Sequence, residues 1–526
     1  MGSTFSGIEI SKRSLFAQQA ALQTTGHNIS NANTQGYSRQ VVNFVASAPL
    51  EAPSLTRSTV PGQMGQGVEF DQIKRVREKF LDTQFYDENK SLGEWNVRKD
   101  TLEKLEAIVN EPSDTGVRQV VEGFWSAWQD VSKEPENLTA RAALKEKALA
   151  MTDAFNHTGK QLDDLSSNLT DNISVKVSEA NTILTQVANL NNEIFRIEGL
   201  GNNANDLRDQ RDLMVDNLSK IVNVSAVETS GGYTLKMGST ELVNGINVTA
   251  QLNSDSVASS MTSGDLQSGE VYGMLVSRDQ YLESYKFQFN SMVKSLVQGQ
   301  VTVTMPAGSV IPNGTTLNGT TYSGTIAQRT LAADTKVTVN GINGLHELGY
   351  SLEDPPTSGI PFFTLKDGAT EFNANSLTVN PAIVKKVANI AASSRVYVDT
   401  DGTTKVVKGN NNIALSLAGF QNQKFDFDPS SNGTPLLTSG TFDEFLRAIV
   451  GQLGVQSQEA TRQTTNQQAL VDQVDSRRQS VSGVSLDEEM ANMIKYQQSY
   501  NAAARALTTF DEMLDKVINS MGTVGR

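Results

Sequence analysis

The sequence predicts a multidomain α+β protein whose chain runs out through helix, crosses a β-rich middle and returns through helix. Three observations carry this. Narrow heptad-spaced apolar stripes occur at both ends, long amphipathic runs lie inside them, and from residue 221 to about 435 Thr, Val, Gly and Asn dominate with strand-like alternation, as in GGYTLKMGSTELV. Hydrophobic residues make up 38% and aromatics 6% of the 526-residue chain, which is lean for one thick core, so the length should be spread over several thin or elongated domains.

The first element is a helix. Ser6 and Glu9 have the spacing of a capping box, and Ile8, Leu15, Leu22 and Ile29 recur at seven-residue intervals with Phe5 on the same side. So narrow a stripe has the width of a coiled-coil seam and buries too little to hold a lone helix in water. The pattern stops in HNISNANTQGYSRQ, His27 to Gln40. Asparagine side chains compete with the backbone for hydrogen bonds, and glycine at position 36 permits a turn. VVNFVASAP then has strand character, and Pro49, Pro53 and Pro61 punctuate an extended stretch up to GQGVEF.

Residues 72 to about 200 read as helix: one long run to EPSDTG, a second in VRQVVEGFWSAWQDV ending near Pro135, and a third from Thr139, with breaks, to Arg196. Long helices on short connectors suggest an antiparallel bundle. One helical island, GEVYGMLVSRDQYLESYKFQFNSMVKSLV, interrupts the β-rich middle, and residues 299–340 are dense enough in β and turn signals to read as a small inserted β subdomain. Helix returns at TFDEFLRAIVGQLG. The last helix opens with Ser485 and Glu488 as a second possible capping box, with acids in its first turn. Its 4-3 stripe is Leu486, Met490, Met493, Gln497, Tyr500, Ala504, Leu507, Asp511, Leu514, Ile518 and Met521. A chain that goes out and comes back stacks as layers. Four domains are expected: 1–60 with 484–526 (terminal helices), 61–215 with 438–483 (helical), 216–298 with 341–437 (β-rich), and the 299–340 insert.

Chemistry is scarce. A net charge of −14 without a large basic block argues against nucleic acid or an anionic membrane as partner. There is no cysteine, so disulfides, thiol catalysis and Cys-ligated metals are excluded. No window approaches the ~20 apolar residues that span a bilayer, and MGSTFSGIEISKRSLFAQQ lacks the basic and apolar regions of a Sec-type signal. Of the histidines His27, His157 and His346, none lies in HExxH: LHELGYS lacks the second histidine. GQMGQG fits neither nucleotide-loop spacing and reads as a turn. KRVREK, 74–79, reads as a solvated face or subunit contact, and Arg208, Asp209, Arg211 and Asp212 as a local ion-pair network where helix meets β domain. No catalytic, metal or cofactor residue is assigned, and the expectation is a protein that is not an enzyme.

The turn carries a resemblance. HNISNANTQGYSRQ resembles the N-terminal signature of bacterial flagellar axial proteins (rod, hook and junction families) through Asn28, Ser30, Asn31, Asn33, Thr34, Gly36, Tyr37 and Arg39. GVSLDEEMANMIKYQQSYNAAARALTTFDEMLDKVI, ANDLRDQRDLMVDNLSKIVNVS, GFWSAWQDVSKEPENLTAR, VSRDQYLESY, GLHELGYSL and GNNNIALSLA resemble segments of one branch, the hook–filament junction family called hook-associated protein 1. The 299–340 insert departs from it.

The resemblance implies an inner coiled-coil domain of the two terminal helices around an axial channel, a helical second layer and an outer β-rich domain. It implies a structural adaptor between hook and filament, self-assembled as a ring or short helical zone. It also implies export through the flagellar type III apparatus, an extracellular place on the flagellum, and as partners hook protein, a second junction protein and an export chaperone at the C-terminal helix. Hook or rod protein is the alternative within the class. A secreted enzyme on an axial scaffold and a needle-tip or translocon protein are alternatives outside it.

Overall fold

The computed structural model describes residues 5–49, 65–111, 116–427 and 433–519; Pro53, Pro61 and Met521 lie outside these. The chain opens with α1 (Ser6–Ser30) and turns into an antiparallel ribbon of β1 (Gln40–Ala46) and β2 (Val68–Arg75). Then come α2 (Lys79–Val109), α3 (Val117–Lys133), α4 (Leu138–Glu198) and α5 (Asn205–Ile221). An antiparallel meander follows: β3 (Ser225–Thr229), β4 (Gly232–Met237), β5 (Thr240–Asn244) and β6 (Asn247–Val248). After α6 (Ser254–Ser263), α7 (Glu270–Val276) passes through a π turn, Ser277–Leu282, into α8 (Glu283–Gln298). Strand β7 (Gln300–Met305), the hairpin of β8 (Thr315–Leu317) and β9 (Thr320–Tyr322), and helix α9 (Ile326–Arg329) lead to β10 (Thr335–Asn340), which pairs back with β7. Three short ribbons then alternate with helices: α10 (Gly341–Glu347), β11 (Phe363–Leu365) with β12 (Leu377–Val379), α11 (Pro381–Lys385), β13 (Val396–Val398) with β14 (Thr404–Val406), α12 (Asn412–Gly419), and β15 (Phe425–Asp426) with β16 (Ser439–Gly440). The chain closes with α13 (Phe442–Ser482) and α14 (Leu486–Asn519).

The multidomain α+β class is as the sequence predicts, but some local expectations fail. Ser6 lies inside α1, whose N-cap is Phe5 without a side-chain cap; Glu9 turns to Lys12 and Arg13 at 3.7 and 3.6 Å, so the Ser6–Glu9 box does not form. Residues 72–75 are strand and not helix, because β1 offers their backbone a ladder. The third helical run has no breaks: α4 is 61 residues long. Thr170, Thr182 and Thr185 return their hydroxyls to carbonyls four residues back, so these polar residues leave the helix intact.

The chain forms two compact units, one of residues 1–95, 173–273 and 464–526, the other of 96–172 and 274–463. In the first, α1 and α14 pair antiparallel. Phe510 covers Gly7, where a Cβ would fall 2.5 Å from the ring, and Asn28 at the far end of α1 meets Glu489 in the first turn of α14. The buried face of α1 is made of small side chains and one amide: Ser11, Ala17, Ala21, Thr24, Thr25 and Asn28. On α4, Val177, Ala180, Leu184 and Val187 form a buried seam, and Asn191 takes its next position. The Asn191 amide donates to the Tyr233 and Gly245 carbonyls at 3.2 and 2.7 Å and accepts from the Tyr233 N–H at 3.1 Å, tying the meander to the helix.

In the second unit, Phe124 and Trp128 of α3 pack with His346, Phe362 and Phe363. Residues 299–340 leave and return through the β7–β10 pair and place Val310 in one small core with Tyr350, Val396 and Val406. His346 is fully buried. Its Nδ1–H donates to the Ile360 carbonyl at 2.6 Å and its Nε2 accepts the Ala391 N–H at 2.8 Å, which together require the neutral ring.

Burial, which outweighs the Ile360 bond and is joined by the charge of Arg141, pushes His346 down to about 4. Between that value and the usual ~6.5 the unfolded chain binds a proton that the folded chain refuses. Stability of the second unit is therefore expected to be full above about pH 6.5 and to fall, on the order of 2–3 kcal/mol, as pH drops toward 4.5. Urea unfolding at the two pH values measures the loss. An NMR titration in which the His346 ring protonates near 6.5 in the folded chain would contradict it.

Candidate functional site

The segment after α1 is an interlocked turn. Asn28 uses all its hydrogen-bonding capacity. Its Nδ2 donates to the Gln40 carbonyl at 2.9 Å and to Glu489 Oε2 at 3.0 Å, and its Oδ1 accepts from the Gln40 N–H at 3.0 Å and the Tyr37 hydroxyl at 2.7 Å. One buried amide thus ends α1, starts β1 and touches α14. The hydroxyl proton of Tyr37 is committed to Asn28, so the Tyr37 oxygen accepts from His27 Nδ1 at 3.0 Å. Burial, then the charges of Asp206, Asp209 and Glu489, push the Tyr37 phenol up, so it stays a neutral donor.

Inside the loop, Asn31 Nδ2 donates to the His27 carbonyl at 3.1 Å and the Thr34 hydroxyl donates to Asn31 Oδ1 at 3.2 Å. Gly36 has φ +80°, and a Cβ there would come 3.1 Å from Leu213. Arg39 reaches the other end of the chain: Nε to Glu489 at 2.8 Å, Nη1 to Glu488 at 3.0 Å, and its N–H to the Ser482 carbonyl at 2.8 Å. The turn therefore fixes where α13 ends and α14 begins. Ser485 Oγ lies 3.5 Å from the Glu488 N–H, so the serine half of the expected box is present while the Glu488 carboxylate serves Arg39.

Beneath the turn lies a row of carboxylates on α5. Asp206 accepts from Gln40 Nε2 at 2.7 Å. Asp209 takes the Ser38 N–H at 2.9 Å and Arg75 at 2.7 Å. Asp212 takes Arg75 at 2.8 Å and the Tyr233 hydroxyl at 2.7 Å, with Arg77 at 3.5 Å. Asp216 is gripped by both terminal nitrogens of Arg478, at 2.7 and 3.2 Å. Burial raises Asp212, but Arg77, Arg75 and Arg211 outweigh it and hold the carboxyl below its ordinary range. For Asp209 and Asp216 burial prevails and the shift is upward. Arg208 and Arg211 extend the network to Glu198 and Glu228. The ion pairs expected of Arg208, Asp209, Arg211 and Asp212 do form where α5 meets the meander, through Glu228 of β3, but their partners lie mostly outside the segment; within it Arg211 and Asp212 stand 4.0 Å apart. KRVREK is the correction: Arg75 and Arg77 are largely buried inside this network, because the α5 carboxylates can leave water only beside cations.

Of the signature residues, Asn28 is buried, Asn31, Gly36, Tyr37 and Arg39 are half-buried, and Asn33 and Thr34 are exposed. On the terminal helices Ile8, Leu15, Leu22, Ile29, Met493, Tyr500 and Leu507 are half-buried, Leu514 is buried, and Leu486, Met490 and Ile518 are exposed. Sequence patterns gave no sign of Ser38, Gln40, Arg75, Arg77 or Arg478 as parts of the site. The one available signal is the spacing of Asp206, Asp209, Asp212 and Asp216, which is that of a single helix face.

Residues 102–303 match the family model "Flagellar hook-associated protein FlgK helical domain", residues 475–521 match "Flagellar basal body rod FlgEFG protein C-terminal", and residues 8–37 match "Flagella basal body rod protein". The chain is 32% identical to flagellar hook-associated protein 1 of Bacillus subtilis, with 100% of each chain covered. It is 26% identical to the protein of the same name from Salmonella typhimurium, over 96% of this chain and 98% of the relative. A solved structure, the flagellar hook junction protein FlgK from Burkholderia pseudomallei, is 16% identical with a TM-score of 0.46, covering 76% of this chain and 100% of that one.

Replacing Asn28 by Ala strands the Gln40 backbone groups and removes the donor to Glu489 Oε2, while Glu489 Oε1 keeps Arg39. Asn28→Ala is expected to cost roughly 2–4 kcal/mol in urea unfolding of the full chain. Gly36→Ala, which meets both a left-handed backbone and Leu213, should cost about 1–2 kcal/mol. Midpoints equal to wild type would remove the turn's structural role.

Proposed function

This chain belongs to the flagellar hook-associated protein 1 family, and on that premise we propose that it is a structural protein of the bacterial flagellum that joins hook to filament. It assembles with further copies into a ring or short helical zone, an adaptor on which the filament is built, and it needs no cofactor and catalyses no reaction. It sits outside the cell on the flagellum after type III export. Hook protein, a second junction protein and an export chaperone at α14 are its other partners. The four-part division drawn from the sequence applies to this assembled state.

The observation that carries the proposal is on the terminal helices. α1 and α14 are paired, yet Phe5, Phe16, Leu486, Met490, Ile494 and Ile518 are 49–68% exposed. So much apolar surface on an already paired helix hairpin suits a further protein surface better than water. Asn28, Asn31, Asn33, Thr34, Gly36, Tyr37 and Arg39 are proposed as the bend that presents this hairpin, and the two stripes as its packing faces.

Electron microscopy of cells lacking the gene, with the medium probed for filament protein, tests the placement. Bare hooks and unpolymerised filament protein are expected. Missing hooks would place the chain in rod or hook, and normal filaments would refute the proposal. A strain carrying Asn31→Ala with Tyr37→Ala should bear few filaments; normal numbers would reduce the turn to an ordinary helix end.

A further inference from the structure

The chain has no cysteine and thirteen methionines, so thioethers are the sulfur groups an oxidant can reach. Their placement is uneven. Met151, Met237, Met274, Met292 and Met305 are buried, and Met214, Met261 and Met493 are half-buried. Among the described residues the exposed methionines are Met490 and Met513, at 57% and 56%, and both lie on α14. Met490 is flanked one turn away on each side by Leu486 and Ile494, themselves 49% and 59% exposed. Met513 has Val517, 47% exposed, on the next turn. These sulfurs are thus open to solvent and embedded in the apolar surface that assembly is to bury.

We propose that Met490 and Met513 are an oxidation site through which peroxide-type two-electron oxidants disable this face before assembly covers it. The proposal rests on the reading that the outer apolar residues of α14 pack against further copies. In the step the O–O bond of hydrogen peroxide breaks, one oxygen bonds to the thioether sulfur, sulfur supplies the electron pair and is oxidised, and the departing hydroxide takes the proton of the transferred oxygen and leaves as water; an alkyl hydroperoxide leaves as the alcohol in the same way. The product is a polar sulfoxide where an apolar side chain has to be desolvated, which weakens packing without unfolding the chain. Once copies cover α14 the sulfurs lose access to oxidant, so sensitivity is confined to the free subunit.

Two measurements test this. The purified full-length chain is treated with dilute hydrogen peroxide and its sulfoxides are located by peptide mass spectrometry over time. Met490 and Met513 should oxidise roughly tenfold faster than the buried methionines; uniform rates overturn the proposal. Second, filaments are counted on growing cells with and without sublethal peroxide, each strain against itself, for wild type and for Met490→Leu/Met513→Leu, with the isoleucine pair in its place if that strain bears too few to count. Wild type should lose filaments several-fold more than the variant, and equal loss overturns the proposal. Ile494→Asp separates the two readings. If it strips filaments while peroxide sensitivity is equal, oxidation alone is refuted; if it leaves filaments normal, the packing reading falls as well.

Discussion

Carboxylates on one helix face can leave water only where cations and hydrogen-bond donors come to them, and the first unit is arranged around that requirement. Asp209, Asp212 and Asp216 of α5 are buried. Arg75 and Arg77 are supplied from β2 and the loop after it, Arg478 from α13 and the Ser38 N–H from the turn. Each partner fixes the position of a different element. Removing Arg75 or Arg478 would take from Asp209 or Asp216 the cation it is paired with and leave a buried carboxylate, which costs more than the intact pair contributes.

The asparagine turn solves a related problem at the surface of that network. A helix end and a strand start each leave backbone groups without partners. Asn28 satisfies the N–H and C=O of Gln40 together and still has one donor for Glu489 and one acceptor for Tyr37. Aspartate could not donate, and glutamine would place the amide one carbon farther out. With Arg39 on Glu488 and Glu489, the first turn of α14 is held against the end of α1. The hairpin then packs through small residues of α1, so large apolar side chains remain on the outside. The buried small residues and the exposed large apolar ones therefore occupy different parts of the same two helices.

Much of this was legible in the chain. The heptad-spaced residues predicted both terminal helices, the alternation in GGYTLKMGSTELV predicted the meander, and the amide-rich stretch after His27 predicted a break and a turn. DLRDQRD predicted an ion-pair network. What misled were residues whose local pattern is ambiguous. DQIKRVREK scatters charges in a way that suits a helix, yet half of it is strand, and its two arginines look solvated while they are largely withdrawn from water. Ser6 and Glu9 have the letters of a cap without the position of one.

By itself the sequence determined the long helices, the meander and the turn after α1, and that no thiol or zinc-type histidine pair exists, because these follow from periodicity, turn chemistry and composition within a few residues; it did not show the short helices α6, α9, α10, α11 and α12, which interrupt the middle read as β-rich with one helical island. Only the tertiary structure decided that Asn28 meets Glu489, 461 positions away, that Arg39 clamps the opposite end of the chain, and that Asp209 and Asp212 share Arg75. Such pairings have no local signature. An asparagine, an arginine or an aspartate is equally at home in water, and which of them is withdrawn from it depends on a partner that arrives only when distant helices pack.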